Sequence, residues 1–256
     1  MITWHLGGAV SYPGELLEYA KRLIMKGHRV QVYDAAFTSL WGGGRIPFSR
    51  NTELKDFIFA IDLFNAHGIG LDANFSGVIE NHELNDYACN VVLEKLETYP
   101  KNGVILSEQK LFDHIKQRYP SLMITSSITA VTPKIKGCDY YALNADFNTH
   151  LEDVVGLGID KLQILVNENC YQNCNERGQH YKQLSLMMKR FDKSFEDTCI
   201  CENQSGGRFK MRLDMDQILD MHEMGISHFK VQGRQDPIES EIGPYILDVI
   251  LKSKGG

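Results

Sequence analysis

Short apolar runs alternate with amphipathic stretches along most of the chain. Ile2 to His5 reads as a strand. From Gly14 to Met25, Leu16, Leu17, Tyr19, Ala20, Leu23 and Ile24 recur on the helical period until Gly27 stops them. Val30 to Tyr33 is a second strand, Leu54 to Ala66 a helix closed by Gly68, and Ile69 to Ala73 a third strand. Glu83 to Thr98 is helical as far as Pro100, Val104 to Leu106 is strand four, and Gln109 to Arg118 is a helix ended by Pro120. Leu122 to Thr125 and Tyr140 to Leu143 are strands five and six. Leu151 to Val155 is a short helix before Gly156 and Gly158, and Leu162 to Val166 is strand seven. A polar segment, 167–209, interrupts this rhythm. It resumes with a helix at Met215 to Met224, strand eight at Phe229 to Val231, and a final helix at Ile242 to Lys252.

Eight strands separated mostly by helices predict an α/β fold, a single (β/α)8 TIM-like barrel. With no repeat, linker or low-complexity tract, residues 1–256 form one domain, and 167–209 is an elaborated, cysteine-bearing loop after strand seven. Barrel chemistry sits at the C-terminal ends of the strands. The residues read there are Asp34, Asp72 with Asn74, Ser107 with Glu108, Ser126 with Ser127, Asn144 with Asp146, Asn167 to Cys170, and Gln232 to Arg234. An apolar core has no use for such a polar ring, so it reads as a pocket lining, although strand ends are solvated in any barrel.

Composition narrows the function classes. A chain of 256 residues buries a full core without staples. Its net charge of −6 argues against tracking nucleic-acid phosphates, so no bulk DNA binding is expected. The chain enters a strand at once, so no signal peptide is expected, and no apolar run approaches the roughly eighteen to twenty residues that span a bilayer. A cytoplasmic protein without membrane contact is expected, and clustered cysteines in that compartment bind metal or do chemistry more often than they form disulfides.

Four of the six cysteines crowd into 167–209, Cys170 and Cys174 as C-x3-C and Cys199 and Cys201 as C-x-C. Short spacings let one loop supply two thiolates, which suits a cubane cluster or a tetrahedral zinc, and spacing alone does not choose. His180 is a candidate ligand or proton donor. Cys89, Cys138, His5 and His228 read as structural. Trp41-Gly42-Gly43-Gly44-Arg45 offers glycines for close backbone approach and an arginine for an anion, and Arg234 offers a second arginine past strand eight. No H-E-x-x-H or G-x-S-x-G occurs, so no common zinc-protease or serine-hydrolase site is written here.

The stretch from Val166 to Arg177 with His180 beyond it, and Ile226 to Arg234 with its Phe-Lys and Gly-Arg, resemble peptidase family U32 as a short, divergent member. The likeness runs from about residue 30 to 240 and is specific at 166–180 and 228–234. That resemblance implies a barrel carrying a [4Fe-4S] cluster, in a family whose better-understood branches perform oxygen-independent hydroxylation of a small molecule or an RNA base. Cys170 and Cys174 match the family's close cysteine pair and Arg234 its Gly-Arg segment. Cys199, Cys201 or His180 would complete the site. The longer members' His-Gly-Ala and second cysteine stretch is missing, with Asn167 to Cys170 in its place.

The expected site therefore has metal ligands Cys170, Cys174, Cys199 and Cys201, with Asp72, Asn74, Glu168 and His180 orienting substrate or moving protons. Arg45, Ser126 and Arg234 would bind the substrate. Arg45, Asp72, Ser126, Glu168 and Arg234 are expected around one cavity. A metal-dependent hydrolase or peptidase, with zinc in place of the cluster, is the alternative enzyme. A cluster- or zinc-stabilised partner subunit, paired with a related U32-type chain, is the non-catalytic one.

Overall fold

Each strand turns one face to a helix and the other to the strands across the barrel, and this division decides where polar groups lie. The computed structural model describes residues 1–35, 40–43, 53–130, 135–168, 173–190, 211–232 and 243. Its strands are β1 (Thr3–Gly7), β2 (Arg29–Asp34), β3 (Gly70–Phe75), β4 (Gly103–Leu106), β5 (Met123–Ser126), β6 (Tyr140–Ala142), β7 (Leu162–Leu165), β8 (Asn167–Glu168), β9 (Met211–Arg212) and β10 (His228–Val231). Its helices are α1 (Pro13–Met25), α2 (Leu54–Ala66), α3 (Tyr87–Glu97), α4 (Gln109–Arg118), α5 (Arg177–Arg190) and α6 (Met215–Glu223). Eight strands close a parallel barrel in the order β1-β10-β7-β6-β5-β4-β3-β2, as the alternation predicts. The expected final helix, 242–252, lies outside the described residues apart from 243.

The outward strand faces carry Trp4, Leu6, Val32, Leu71, Phe75, Leu106 and Ile124. They pack on Leu16, Phe57, Phe64, Val92, Leu111 and Ile115 of the helices. Each such buried side chain contributes roughly 1.5–3 kcal/mol. Helix starts are chemically marked. Pro13 opens α1, Glu53 and Asp56 form a reciprocal capping box on α2, and Asp214 and Gln217 do the same on α6.

Two expected helices differ. The span 83–98 is divided at Asp86. A 3-10 turn over Asn81–Asn85 precedes it, and its carboxylate then caps α3 by accepting the Cys89 amide at 2.8 Å. In place of a helix at 151–155, a chain of 3-10 turns runs from Ala145 to Lys161, interrupted by non-helical backbone at His150, Val154 and Gly158. The loop after β7 includes regular elements among its described residues. It begins as β8, pairs antiparallel with β9, and contains the fourteen-residue α5.

Asn102, fully buried, holds two elements at once. Its carbonyl accepts the Leu71 amide at 2.9 Å and its NH2 donates to the Leu96 carbonyl at the end of α3, 3.0 Å away. Asn102→Ala strands both backbone groups and should cost about 2 kcal/mol in urea unfolding. Asp86→Ala, which removes only a cap, should cost about 1 kcal/mol. Equal losses would contradict this ranking.

Candidate functional site

The C-terminal mouth of the barrel is crossed by α5. Arg177, His180, Tyr181, Leu184 and Ser185 repeat on the helical period and form its buried face. At its start Arg177, 2 % exposed, donates to Asn144 Oδ1 and forms an ion pair with Asp146 at 3.0 Å, both on the segment after β6. Eight residues on, Ser185 Oγ accepts the Val78 amide at 2.7 Å, and Lys189 pairs with Glu83, both on the segment after β3. Eight helical residues span about 12 Å, which carries α5 from one side of the mouth to the other.

Asp146 also accepts the Asn173 amide at 3.0 Å, and Asn173 adopts a left-handed φ of 53°, a conformation asparagine tolerates better than most residues. The next residue, Cys174, is 7 % exposed, and its carbonyl accepts the Arg177 amide at 3.2 Å. The buried arginine thus fixes the turn that carries the cysteine. His180, 2 % exposed, lies one turn further along, its ring parallel to Tyr181 at 6.4 Å.

A second polar group sits above β7 and β10. Asn167 accepts the Gln232 amide at 2.7 Å, and Gln232 Nε2 donates to Glu168 Oε2 at 3.1 Å. Glu168 is 3 % exposed. Glu168, Cys174 and His180 are therefore buried residues of the C-terminal mouth. Cys170, Cys199, Cys201, Arg45 and Arg234 lie outside the described residues. Among the described residues no group of three His, Cys, Asp or Glu side chains is placed to hold a metal ion, and no helix is long and apolar enough to cross a membrane.

Two site residues do not join this group. Asp72 is not past a strand end but the third residue of β3, and it lines a cavity at the opposite, N-terminal mouth. Ser126 closes β5 on the face opposite Thr125, turned with its register partner Leu106 toward the helices. The expected single cavity is thus divided between two ends of the barrel. Asn74 shares the inward face of β3 with Asp72 but lies two residues nearer the C-terminal end, where it reaches the Gly43 carbonyl at 3.4 Å. Other strand-end residues tie loops together. Asp34 accepts the amides of Val10, Ser11 and Ala35, and Ser107 donates to the Ser76 carbonyl. Gly43 faces protein rather than ligand, since a Cβ there would stand 2.3 Å from the Ser76 carbonyl carbon.

The N-terminal half of the interior holds groups that the sequence reading left out or took as structural. Gln31 donates to Asp72 at 2.7 Å, the His5 and His228 rings share a hydrogen bond of 2.9 Å, and Lys230 Nζ rests 3.8 Å over the Tyr33 ring. The available signal was the spacing of two between His228 and Lys230, which puts both on one strand face. Burial pushes the Asp72 carboxyl up to about 6, drives Lys230 down to about 8 and His228 down to about 4. Cys138 is buried, its thiol pushed up to about 12 by burial first and Asp139 second.

The chain is similar in structure to the U32 peptidase Mk0906, with a TM-score of 0.57 and 11 % identity over 93 % of this chain and 94 % of that one. At that identity the likeness establishes the barrel fold. No protein-family model matches the sequence, and no curated protein does.

Two expectations follow. Arg177→Ala leaves Asp146 without its buried partner and should cost about 3 kcal/mol in urea unfolding. Arg177→Lys should recover little, because one ammonium cannot reproduce the forked contact to Asn144 and Asp146. Full rescue by lysine would contradict that geometry. For Asp72, the folded protein keeps a proton that the unfolded chain releases near 3.8, so its contribution falls as pH rises to about 6 and stays low above it. Asp72→Asn should therefore gain stability relative to the parent across that window, by about 3 kcal/mol. A difference independent of pH would show that Asp72 is not held protonated.

Proposed function

We propose that this chain is a U32-type barrel enzyme that binds a [4Fe-4S] cluster at its C-terminal mouth and carries out oxygen-independent hydroxylation, or a related redox modification, of a small molecule or an RNA base. The observation that carries the reading is α5. It runs across the mouth and buries Cys174, Arg177 and His180 beside the strand ends, in the segment on which the family resemblance is most specific. The fold likeness to a U32 peptidase supports the same assignment.

Cys174 suits a ligand role. It is buried, it lies on a turn tied down by Asp146 and Arg177, and that turn is at the end of the barrel where such chemistry is done. Cys170, Cys199 and Cys201 would supply the remaining thiolates. When bound, the cluster supplies one-electron chemistry or an open iron. The protein's part is positional. Glu168, held by Gln232, and His180, enclosed under α5, would hold or pass protons at the substrate, and Asn74 would orient it. Arg234 and Arg45 would hold an anionic group of substrate or oxygen donor.

Anaerobically purified protein should be brown and contain about four iron and four sulfide per chain. Cys174→Ser should lose iron and sulfide while keeping the far-UV circular dichroism and melting temperature of a folded barrel. Stoichiometric zinc without sulfide would overturn the cluster and favour the hydrolase reading, with a metal-bound water as nucleophile.

A further inference from the structure

The strand starts enclose a cavity of about 700 Å³ at the N-terminal mouth, within the size range of small-molecule pockets. Barrel interiors are ordinarily filled there by branched aliphatic side chains. Here the inward positions carry His5, Gln31, Asp72, Thr125, Tyr140 and His228, all lining the cavity. Desolvating so many polar groups costs stability unless their hydrogen bonds are met. Several are not. Gln163, the register partner of His228 and 1 % exposed, has no partner for either amide atom. Lys230, 5 % exposed, has no hydrogen-bond acceptor among the described residues beyond its seat over Tyr33.

The lining has a definite chemical order. The His5 Nε2 to His228 Nδ1 hydrogen bond leaves one donor and one acceptor on the other two ring nitrogens, whichever tautomer is present. Burial disfavours the charged form of both rings, so the pair offers neutral hydrogen bonding beside the Thr125 and Tyr140 hydroxyls. The Tyr140 ring lies 4.4 Å from that of His228 and adds a flat aromatic wall. The rim carries two cations. Arg29 is exposed with no carboxylate within 4.0 Å among the described residues, and Lys101 lines the same opening with its ammonium on the Gly68 carbonyl, while Asp160 is the carboxylate that acts on His228 from that side. The interior therefore selects an uncharged polar head and the rim an anionic tail.

We propose that the N-terminal mouth is a second ligand site, distinct from the C-terminal one, which takes a small organic phosphate or carboxylate with its uncharged hydrogen-bonding head inside the barrel and its oxyanion on Arg29 and Lys101. The test is calorimetric titration and thermal shift of the full-length protein with adenosine 5′-monophosphate, ribose 5-phosphate, citrate and inorganic phosphate. At least one organic probe should bind and raise the melting temperature, and which one does so separates phosphate from carboxylate. Inorganic phosphate, which lacks the head, should bind at least about tenfold more weakly. Arg29→Ala and Thr125→Val, one at the rim and one in the interior, should each weaken the organic probe by about tenfold or more. Glu168→Gln, at the other mouth, should leave it unchanged. Absence of binding by every organic probe would overturn the proposal, as would affinity that follows Glu168→Gln instead of Arg29→Ala and Thr125→Val. Neither result bears on whether the C-terminal mouth holds a cluster.

Discussion

Closure of the sheet between the first and last barrel strands is the constraint on which the rest depends. β1 pairs with β10 from Thr3 opposite His228 to Leu6 opposite Val231, and with β2 on its other side. Once that register is set, alternation leaves no choice about which side chains enter the barrel. His5 is placed beside Lys230, Trp4 and Phe229 meet on the helix side at 6.1 Å, and every later strand inherits its phase from its neighbour. The polar interior is thus a consequence of pairing, and a slip of one residue at this seam would bury Lys230 among the core side chains of the helices.

The two ends of the barrel solve the burial of polar groups differently. Above, charge is met by charge. Arg177 against Asp146 joins the segment after β6 to the cysteine-bearing turn, and Lys189 against Glu83 ties the far end of α5. Such contacts specify geometry at the cost of desolvation, which is how a catalytic arrangement is held in place. Below, charge is suppressed. The imidazoles are kept neutral, and the Asp72 carboxyl and the Lys230 ammonium are each shifted toward their uncharged forms.

Much of this was legible in the sequence, and the limits are physical. Glycine and proline punctuation places α2 at 54–66 and α4 at 109–118 with the boundaries the pattern predicts, since each ends where the backbone must change hand or lose a donor. The phase of a short strand is harder to read. Starting β3 at Ile69 and ending it at Ala73 puts Asp72 at the C-terminal end, whereas its pairing with Tyr33 and Gly103 puts it low in the barrel. Ser126 was misplaced for a related reason, because polarity at a strand end does not say which face it occupies. Arg177 was visible as a residue, but its partner Asp146 is 31 positions away and on another element, beyond any local pattern.

The crossing of Gly43 and Gly77 has a wider consequence. Gly77 donates to the Trp41 carbonyl at 3.0 Å, and a Cβ on either glycine would overlap the other segment's main chain. The two segments meet backbone to backbone at the glycines, while Trp41 packs edge-on against Phe75 at 5.2 Å and Asn74 reaches the Gly43 carbonyl beside them. A side chain at Gly43 or Gly77 would have to part the two main chains, so the spacing of the β2 and β3 rims is set by the absence of two methyl groups.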